Sequence, residues 1–511
     1  MKQMTPFSLS LCCLLMFGTA GAAEPTPQQE ALHVLNRLGY GPRPGDLEQV
    51  MQIGVDRYIE QQLNPASIPL PDPLQKKLSA LDYANRSAGD VLYAYRKILN
   101  QTKDGSESAQ QERREQIGKM VEETAQARLW RAIESPRQLE EVMVDFWFNH
   151  FNVFNGKSIE RALVASYERD AIRPYVLGNF RDLLGATAKH PAMLFYLDNW
   201  LSTSADYRPG SKRRAEPEAK QKANGLNENY ARELMELHTL GVDGEYSQKD
   251  VTELARMLTG WTFDQRTSNQ GRDLHFVFDD ERHDHGSKQW LGKTIDANGK
   301  AEGELALNVL AMHPATARHL SYKLAQYFVQ DQPPPDLVAK LAKRYLETRG
   351  DIRAVLQTLF VSVEFRNAGA IGAKYKTPYQ FVVSAMRATA SPDDNIRPLL
   401  GSMTQLGMPL YGNQTPDGYK NTEQAWLNPD ALSRRINFAT ALATGRLPLN
   451  QPSEQSANGN DKRQLMPAVS AETLQQTLGP ALSEKTRQVI ASNQEALRAA
   501  LMLGSPDFMQ R

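Results

Sequence analysis

The clearest alternation of apolar and polar positions lies between residues 227 and 261, and it predicts two consecutive helices. In the first, apolar side chains recur every three or four residues and define one face, at Leu226, Tyr230, Leu234 and Leu237. Asp243 and Gly244 then form a turn signal. Ser247, with Asp250 three residues later, predicts a capping box at the start of the second helix.

Ionisable side chains interrupt the apolar face of the first helix. Glu233 falls beside this face, and His238 borders it one turn after Leu234. A carboxylate and an imidazole cost free energy in apolar surroundings unless hydrogen bonds or charges satisfy them. On the far side, Glu228, Arg232 and Glu236 recur every four residues, a spacing that allows ion pairs. These residues therefore form a candidate site.

A second polar group lies in the segment 138–152, where apolar side chains surround the whole predicted helix. Such a helix is usually buried. Its polar residues are Asp145, Asn149, His150 and Asn152. They form either a structural network that fixes the packing or the lining of an internal site, and the sequence favours neither interpretation. Asp198 and Asn199 are likewise polar residues within an aromatic and aliphatic run.

Helical periodicity dominates the rest of the chain, so the fold class is mainly α: a large multi-helix globular bundle with a small β hairpin region around 273–291. We expect a helical region at 24–202 and a mobile basic loop at 203–225, rich in Lys, Arg, Glu and Pro. A central helical region at 226–450 and a polar linker with C-terminal helices at 451–511 complete the chain.

The hairpin region contains a candidate for metal binding. His283 and His285 would point the same way on a strand, and two imidazoles in this arrangement can bind a metal. An exposed polar loop is the alternative interpretation. The loop at 407–428 combines glycine, proline and asparagine with Tyr411, Tyr419 and Trp426. Such aromatic loops contact ligands or fill cores.

Residues 1–23 read as a secretory signal peptide, with Lys2 before an apolar core and small residues near the cleavage site. We expect cleavage near Ala22 or Ala23 and a periplasmic or secreted protein with no transmembrane segment thereafter. Both cysteines, Cys12 and Cys13, lie in this segment. The mature chain would then contain no disulfide, thiol nucleophile or thiolate metal ligand.

Charge argues against nucleic acid as a partner. The chain contains 59 basic and 59 acidic residues, so no basic field covers it. Sequence motifs exclude several further classes. There is no Gly-x-Ser-x-Gly elbow, no P-loop and no Cys-x-x-Cys-His for covalent haem.

Several segments together resemble the bacterial secreted domain-of-unknown-function family numbered 1800. These segments run in order from about residue 29 to the C-terminus: LNRLGYGP, FWFNHF, ENYARELMELHTLGV, ARMLTGW, HDHGSK, HPATAR, PDGY with AWL, and LGSPDF. The resemblance implies no established activity. Members of this family are often encoded beside another secreted family, numbered 1501, so it implies a co-secreted partner of that family.

The first functional hypothesis is a metal-assisted hydrolase or oxidoreductase. Its candidate catalytic residues are Glu233, His238, Arg232, Asn149, Asp198 and Asn199, and its candidate metal ligands are His150, Glu236, His283 and His285. Without cysteine, the ligands are imidazole and carboxylate, which suit zinc, iron or manganese. Against it, the chain lacks the His-Glu-x-x-His motif, and Glu233 and His238 are five residues apart.

The second hypothesis is a non-catalytic binding or assembly protein that docks a co-secreted partner or a cell-envelope polymer. The mostly helical pattern and the aromatic loop around Tyr411 and Trp426 favour it. In that case the buried polar residues would hold helices together.

Overall fold

A computed structural model describes residues 24–103, 105–208, 225–264, 274–450 and 466–511 of the chain. The predicted signal peptide at 1–23 lies outside the described residues. So do 209–224 of the predicted basic loop and the first part of the predicted linker, 451–465.

Helices make up most of the N-terminal part of the described chain. The first ten, α1 to α10, are Pro27–Arg37, Asp46–Ile53, Val55–Leu63, Asp72–Ser79, Ala88–Gln101, Glu107–Glu134, Gln138–His150, Glu160–Ser166, Phe180–Lys189 and Pro191–Tyr196. A π-helical turn, Tyr167–Ile172, directly follows α8. Such turns are rare and place side chains at positions that a regular helix would not.

Fifteen further helices are described after residue 225. They are α11 to α25: Asn229–Glu236, Gln248–Met257, Lys300–Ala311, Pro314–Phe328, Pro335–Glu347, Ile352–Phe360, Val363–Arg366, Pro378–Thr389, Arg397–Gln405, Glu423–Trp426, Pro429–Ala443, Ala471–Leu478, Glu484–Ala491, Glu495–Leu503 and Pro506–Met509.

Four short strands form two antiparallel hairpins, with β2 and β3 inside the predicted β region 273–291 and β1 and β4 on either side of it. β1 (Trp261–Phe263) pairs with β2 (Phe276–Phe278), and β3 (Lys288–Trp290) pairs with β4 (Lys293–Ile295). The predicted fold class, mainly α with a small β hairpin region, is therefore confirmed.

The core is one continuous cluster of buried apolar side chains that extends from Ala31 to Met509. The segment predicted to be buried all round forms α7, which is surrounded by other elements. Trp147, on α7, is fully buried, and its indole Nε1 donates a hydrogen bond to the Val176 carbonyl at 3.1 Å. A buried aromatic ring with a satisfied N–H contributes both area and orientation to a core.

The predicted helix pair forms α11 and α12, with one difference in length. The Ser247 and Asp250 capping box is present at the start of α12. Asn227 Oδ1 accepts from the Asn229 backbone N–H at 2.9 Å, as an N-capping side chain does. However, α11 ends at Glu236, one residue before Leu237, the last apolar position of the predicted face.

The prediction that His283 and His285 point the same way on a strand is wrong. Both lie between β2 and β3, after a 3-10 turn, so the alternation of a strand does not apply to them. His283 is buried, whereas the His285 side chain is 60% exposed.

None of the described helices combines the length and the apolar character needed to cross a bilayer.

Candidate functional site

The end of α11 brings a histidine into the core. The backbone N–H groups of Leu237 and His238 both donate to the Glu233 carbonyl, at 2.9 and 3.0 Å, which closes the helix. Gly241 follows with φ +86°, and a Cβ there would lie 3.0 Å from His319 Nδ1. Glycine therefore lets the chain turn and lets α14 approach closely.

Three histidines from separate elements meet at this turn. His150 lies at the end of α7, His238 follows α11, and His319 lies on α14. The centroid of the His150 ring is 6.0 Å from that of His238 and 6.3 Å from that of His319. His319 Nε2 donates to the Leu237 carbonyl at 3.2 Å, which links α14 to the same turn.

Lys323 completes the group and fixes the protonation of His150. The Lys323 ammonium donates to His150 Nδ1 at 2.9 Å, so Nδ1 must carry a lone pair. The proton of the neutral ring is then on Nε2, which donates to the His238 carbonyl at 3.1 Å. His150 is therefore a neutral acceptor that holds the lysine head.

Burial shifts the acid–base behaviour of all four groups. Desolvation lowers the pKa of His150 well below its ordinary value, and the neighbouring Lys323 charge lowers it further. The pKa of His238 falls to about 3 and that of His319 to about 4, again mainly through burial. Burial and the charge of Lys420 lower the pKa of Lys323 to about 8, against the opposing effect of Asp417.

Three of these groups, His150, His319 and Lys323, line a cavity of about 1290 Å³. Residues of α15 and of the 236–245 connection line other parts of its wall. Two further predicted site residues, Asn149 and Glu236, also line it. The structure thus brings together three of the predicted residues and two, His319 and Lys323, that were not among them.

Asn149 holds the aromatic loop against this cavity. Its Oδ1 accepts from the Tyr419 N–H at 2.7 Å, and its Nδ2 donates to the Tyr419 carbonyl at 2.9 Å. Both halves of the amide are thus satisfied by the loop backbone. A Cβ at Gly418 would lie 2.2 Å from the Asn149 carbonyl oxygen, so only glycine permits this approach. Tyr419 lines the cavity.

The other predicted catalytic residues lie around the site rather than on its wall. Glu233 adjoins Glu236, and burial and that carboxylate raise its pKa. Arg232 faces α12, where its Nη2 donates to Gln248 Oε1 at 2.8 Å. In the described part of the chain, the cavity wall includes neither of them, nor His238.

Asp198 and Asn199 connect helices elsewhere. Asp198 has φ +60° and pairs with Lys157 at 3.0 Å, and Asn199 Nδ2 donates to the carbonyls of Leu258 and Trp261. The contacts of Asn199 join the segment after α10 to the end of α12, so they stabilise the packing of the two helices.

The predicted metal ligands do not assemble. Across the described ranges, no group of three or more His, Cys, Asp or Glu side chains is placed to hold a metal ion. His150 and Glu236 line the cavity, but His283 contacts Glu302 at 3.1 Å, with Lys288 on the other Glu302 oxygen at 2.6 Å. Glu302 on α13 thus contacts both His283 and Lys288 of β3, which links β3 to α13. The exposed His285 lies beside Asp280.

Acidification is expected to weaken the fold through the buried histidines. In the unfolded chain His238 binds a proton near pH 6.5, whereas in the folded protein its pKa is about 3. Its contribution to the free energy of unfolding is thus complete above pH 6.5 and decreases as the pH falls toward 3, by about 1.4 kcal/mol per pH unit. Urea unfolding at pH 7, 6 and 5 measures the free energy of unfolding. This free energy should decrease more steeply with falling pH in the wild type than in His238→Gln. Equal slopes would contradict it.

Sequence reasoning missed Lys323 although a signal was present. Lys323 lies directly after Tyr322 and directly before the run LAQYF. A cation between such apolar residues is rarely buried without a partner. Its significance depends on His150, which lies 173 residues earlier in the chain.

Comparison with known proteins identifies the family. Residues 33–510 match the family described as protein of unknown function, DUF1800. No curated protein and no solved structure matches the chain. The match covers nearly all of the described residues and includes every element of the cavity. The chain therefore belongs to the DUF1800 family.

Proposed function

We propose that the cavity is the active site of an exported enzyme in which Lys323 acts as a general acid. The observation that carries this proposal is the contact between Lys323 Nζ and His150 Nδ1, 2.9 Å, on the cavity wall. A lysine with a pKa near 8 is mostly protonated at neutral pH and still gives up its proton readily. Strongly perturbed ionisable groups in a cavity are characteristic of active sites.

The residues suit a hydrolytic reaction. Lys323 would donate its proton to the leaving oxygen of the substrate and recover a proton from water. Glu236, also on the wall, offers a carboxylate that can take a proton from the attacking water. His150 is a positioning residue here, because its lone pair fixes the direction of the lysine head. Tyr419 and the apolar wall would exclude bulk water from the bound substrate.

Metal assistance does not enter this proposal, since the described donor groups form no ligand set of three. The signal peptide at 1–23 and a partner of the family numbered 1501 remain predictions, and export of the enzyme rests on the former. The non-catalytic binding protein remains the alternative hypothesis, and turnover is the property that separates the two.

A substrate screen tests the enzymatic proposal. The mature protein would be assayed against chromogenic carboxylic esters, phosphate esters and glycosides at pH 7. We expect turnover that is lost in Lys323→Met and kept in Lys340→Met, an exposed lysine on α15 that does not belong to the cavity wall. Turnover that both variants retain, or none on any substrate class, would contradict the proposal.

A further inference from the structure

The cavity is elongated along α14. Its wall includes α14 residues from Pro314 to Tyr327, thirteen positions apart. At 1.5 Å per residue this stretch extends over roughly 20 Å. Lys323 lies near one end of this stretch and Ala315 near the other. The cavity can therefore hold an extended molecule whose two ends lie in different surroundings.

One wall of the cavity is apolar at helical spacing. α15 contributes Pro335, Val338, Ala339, Ala342 and Leu346. Positions separated by three and four residues share one face of a helix, so these side chains form a continuous stripe. Part of this stripe packs on the core, and the part that faces the cavity is available to an apolar ligand.

Two apolar side chains of the cavity wall are also exposed at the protein surface. Val242 is 73% exposed and Tyr322 is 41% exposed. Single exposed apolar residues are common, but these two line the same cavity as the α15 stripe. The cavity thus has apolar wall residues that solvent can reach.

The end of the cavity near Lys323 is polar and carries a positive charge, in contrast to the apolar α15 stripe. Throughout the described ranges, no carboxylate forms an ion pair with Lys323, and its ammonium donates a hydrogen bond to the neutral His150 ring. The nearby Lys420 is already paired with Asp417 at 2.7 Å. Asp417 acts on Lys323 without an ion-pair contact. A partly buried ammonium that no carboxylate contacts favours an anion that can reach it.

We infer that the cavity binds an amphiphile that has one anionic head and an unbranched apolar chain. The head would lie at Lys323, and the chain would follow α14 past Tyr322 and along the α15 stripe toward Leu346. This inference builds on the proposed function, because it names the class of ligand for the same cavity. A long-chain carboxylate, or its ester as substrate, has this chemistry.

The head site should respond to pH through Lys323. The titratable or charged groups that face it are His150 on α7, His238 after α11, His319 on α14, and Asp417 and Lys420 on the aromatic loop. The three histidines stay neutral above pH 6.5, because burial lowers the pKa of each. Above pH 8, Lys323 loses its proton, and the affinity for an anion should fall by up to about tenfold per pH unit.

Binding of defined amphiphiles tests the inference. Dodecanoate, dodecyl phosphate, dodecan-1-ol and butanoate would be titrated calorimetrically, below their micelle concentrations, into the mature protein at pH 7. We expect dodecanoate or dodecyl phosphate to bind at least about tenfold more tightly than dodecan-1-ol, and the better of the two identifies the head. Affinity should rise by about fourfold for each CH₂ group that enters the cavity.

Two variants test the binding of the anionic head and the binding of the apolar chain separately. Lys323→Met should weaken dodecanoate binding by at least about tenfold, whereas Lys340→Met, at an exposed α15 lysine outside the cavity wall, should leave it unchanged. Ala342→Trp, which fills the apolar stripe, should weaken dodecanoate and spare butanoate. Equal binding of dodecanoate and dodecan-1-ol, or an unchanged affinity in Lys323→Met, would overturn the inference.

The experiments can contradict the enzymatic proposal and the amphiphile proposal independently of each other. Amphiphile binding without turnover of any ester would support the ligand class and contradict the enzymatic function. Turnover of short neutral substrates, without amphiphile binding, would do the reverse.

Discussion

Replacing Lys323 by methionine is expected to lower turnover by about 10²- to 10⁴-fold, the usual contribution of a general acid. Methionine keeps the length of the aliphatic chain and removes the proton donor. His150 then loses the donor to its Nδ1 but keeps its bond to the His238 carbonyl. In the wild type, turnover should fall as the pH rises through about 8, because the protonated form of Lys323 is the active one.

The same substitution should not unfold the protein. The pKa of Lys323 lies at about 8 in the folded protein, below its ordinary 10.5, so the fold disfavours the charge. Below pH 8 this charge lowers the stability of the folded state, and methionine removes that effect. The melting temperature of Lys323→Met at pH 7 should therefore equal or exceed that of the wild type. A variant that loses activity because its melting temperature falls would contradict the assigned role.

Arg128→Met is expected to have the largest effect on stability, a loss of about 3–5 kcal/mol. Arg128 is buried on α6, and its guanidinium pairs with Asp145 at 2.6 Å and with Glu168 at 2.7 Å. Methionine would leave both carboxylates buried with fewer partners, although Arg173 still contacts Glu168 at 3.3 Å. Breaking one partner of a buried pair costs more than the pair itself contributes.

Urea unfolding at pH 7 measures this loss, and Arg86→Met is the matched control. Arg86 pairs with Asp82 at 2.7 Å, but its side chain is 42% exposed, so its removal should cost less than about 1 kcal/mol. Similar losses for the two variants would contradict the assignment of a buried network. Asp145 also lines the cavity, so Arg128→Met should weaken ligand binding as well.

Local patterns predicted much of the fold. The Ser247 and Asp250 box starts α12 where the capping rule places it, and the run of apolar residues on all sides of 138–150 forms the buried α7. These signals are short-range, because a cap or a periodic face involves residues within one or two turns. Strand alternation failed at His283 and His285 because the strands around them are only three residues long.

The site could be predicted only in part, because local sequence signals do not show which distant residues come into contact. Asn149 and His150 stood out because polar residues in an apolar helix require partners, and Glu236 because it lies four residues after Arg232. All three line the cavity. The partner of His150 lies on α14, and no local pattern couples Lys323 to a residue 173 positions away. The histidines of HDHGSK stood out equally, yet His283 is engaged by Glu302 in a structural contact.

Lys323 is expected to titrate near pH 8 on the wall of the cavity. Competitive acetylation of the mature protein between pH 6 and 11, with mass spectrometry of each lysine peptide, measures this directly. We predict half-maximal reactivity of Lys323 near pH 8, while ordinary exposed lysines titrate at about 10.4. Titration of Lys323 together with the exposed lysines, near pH 10.4, would contradict the account.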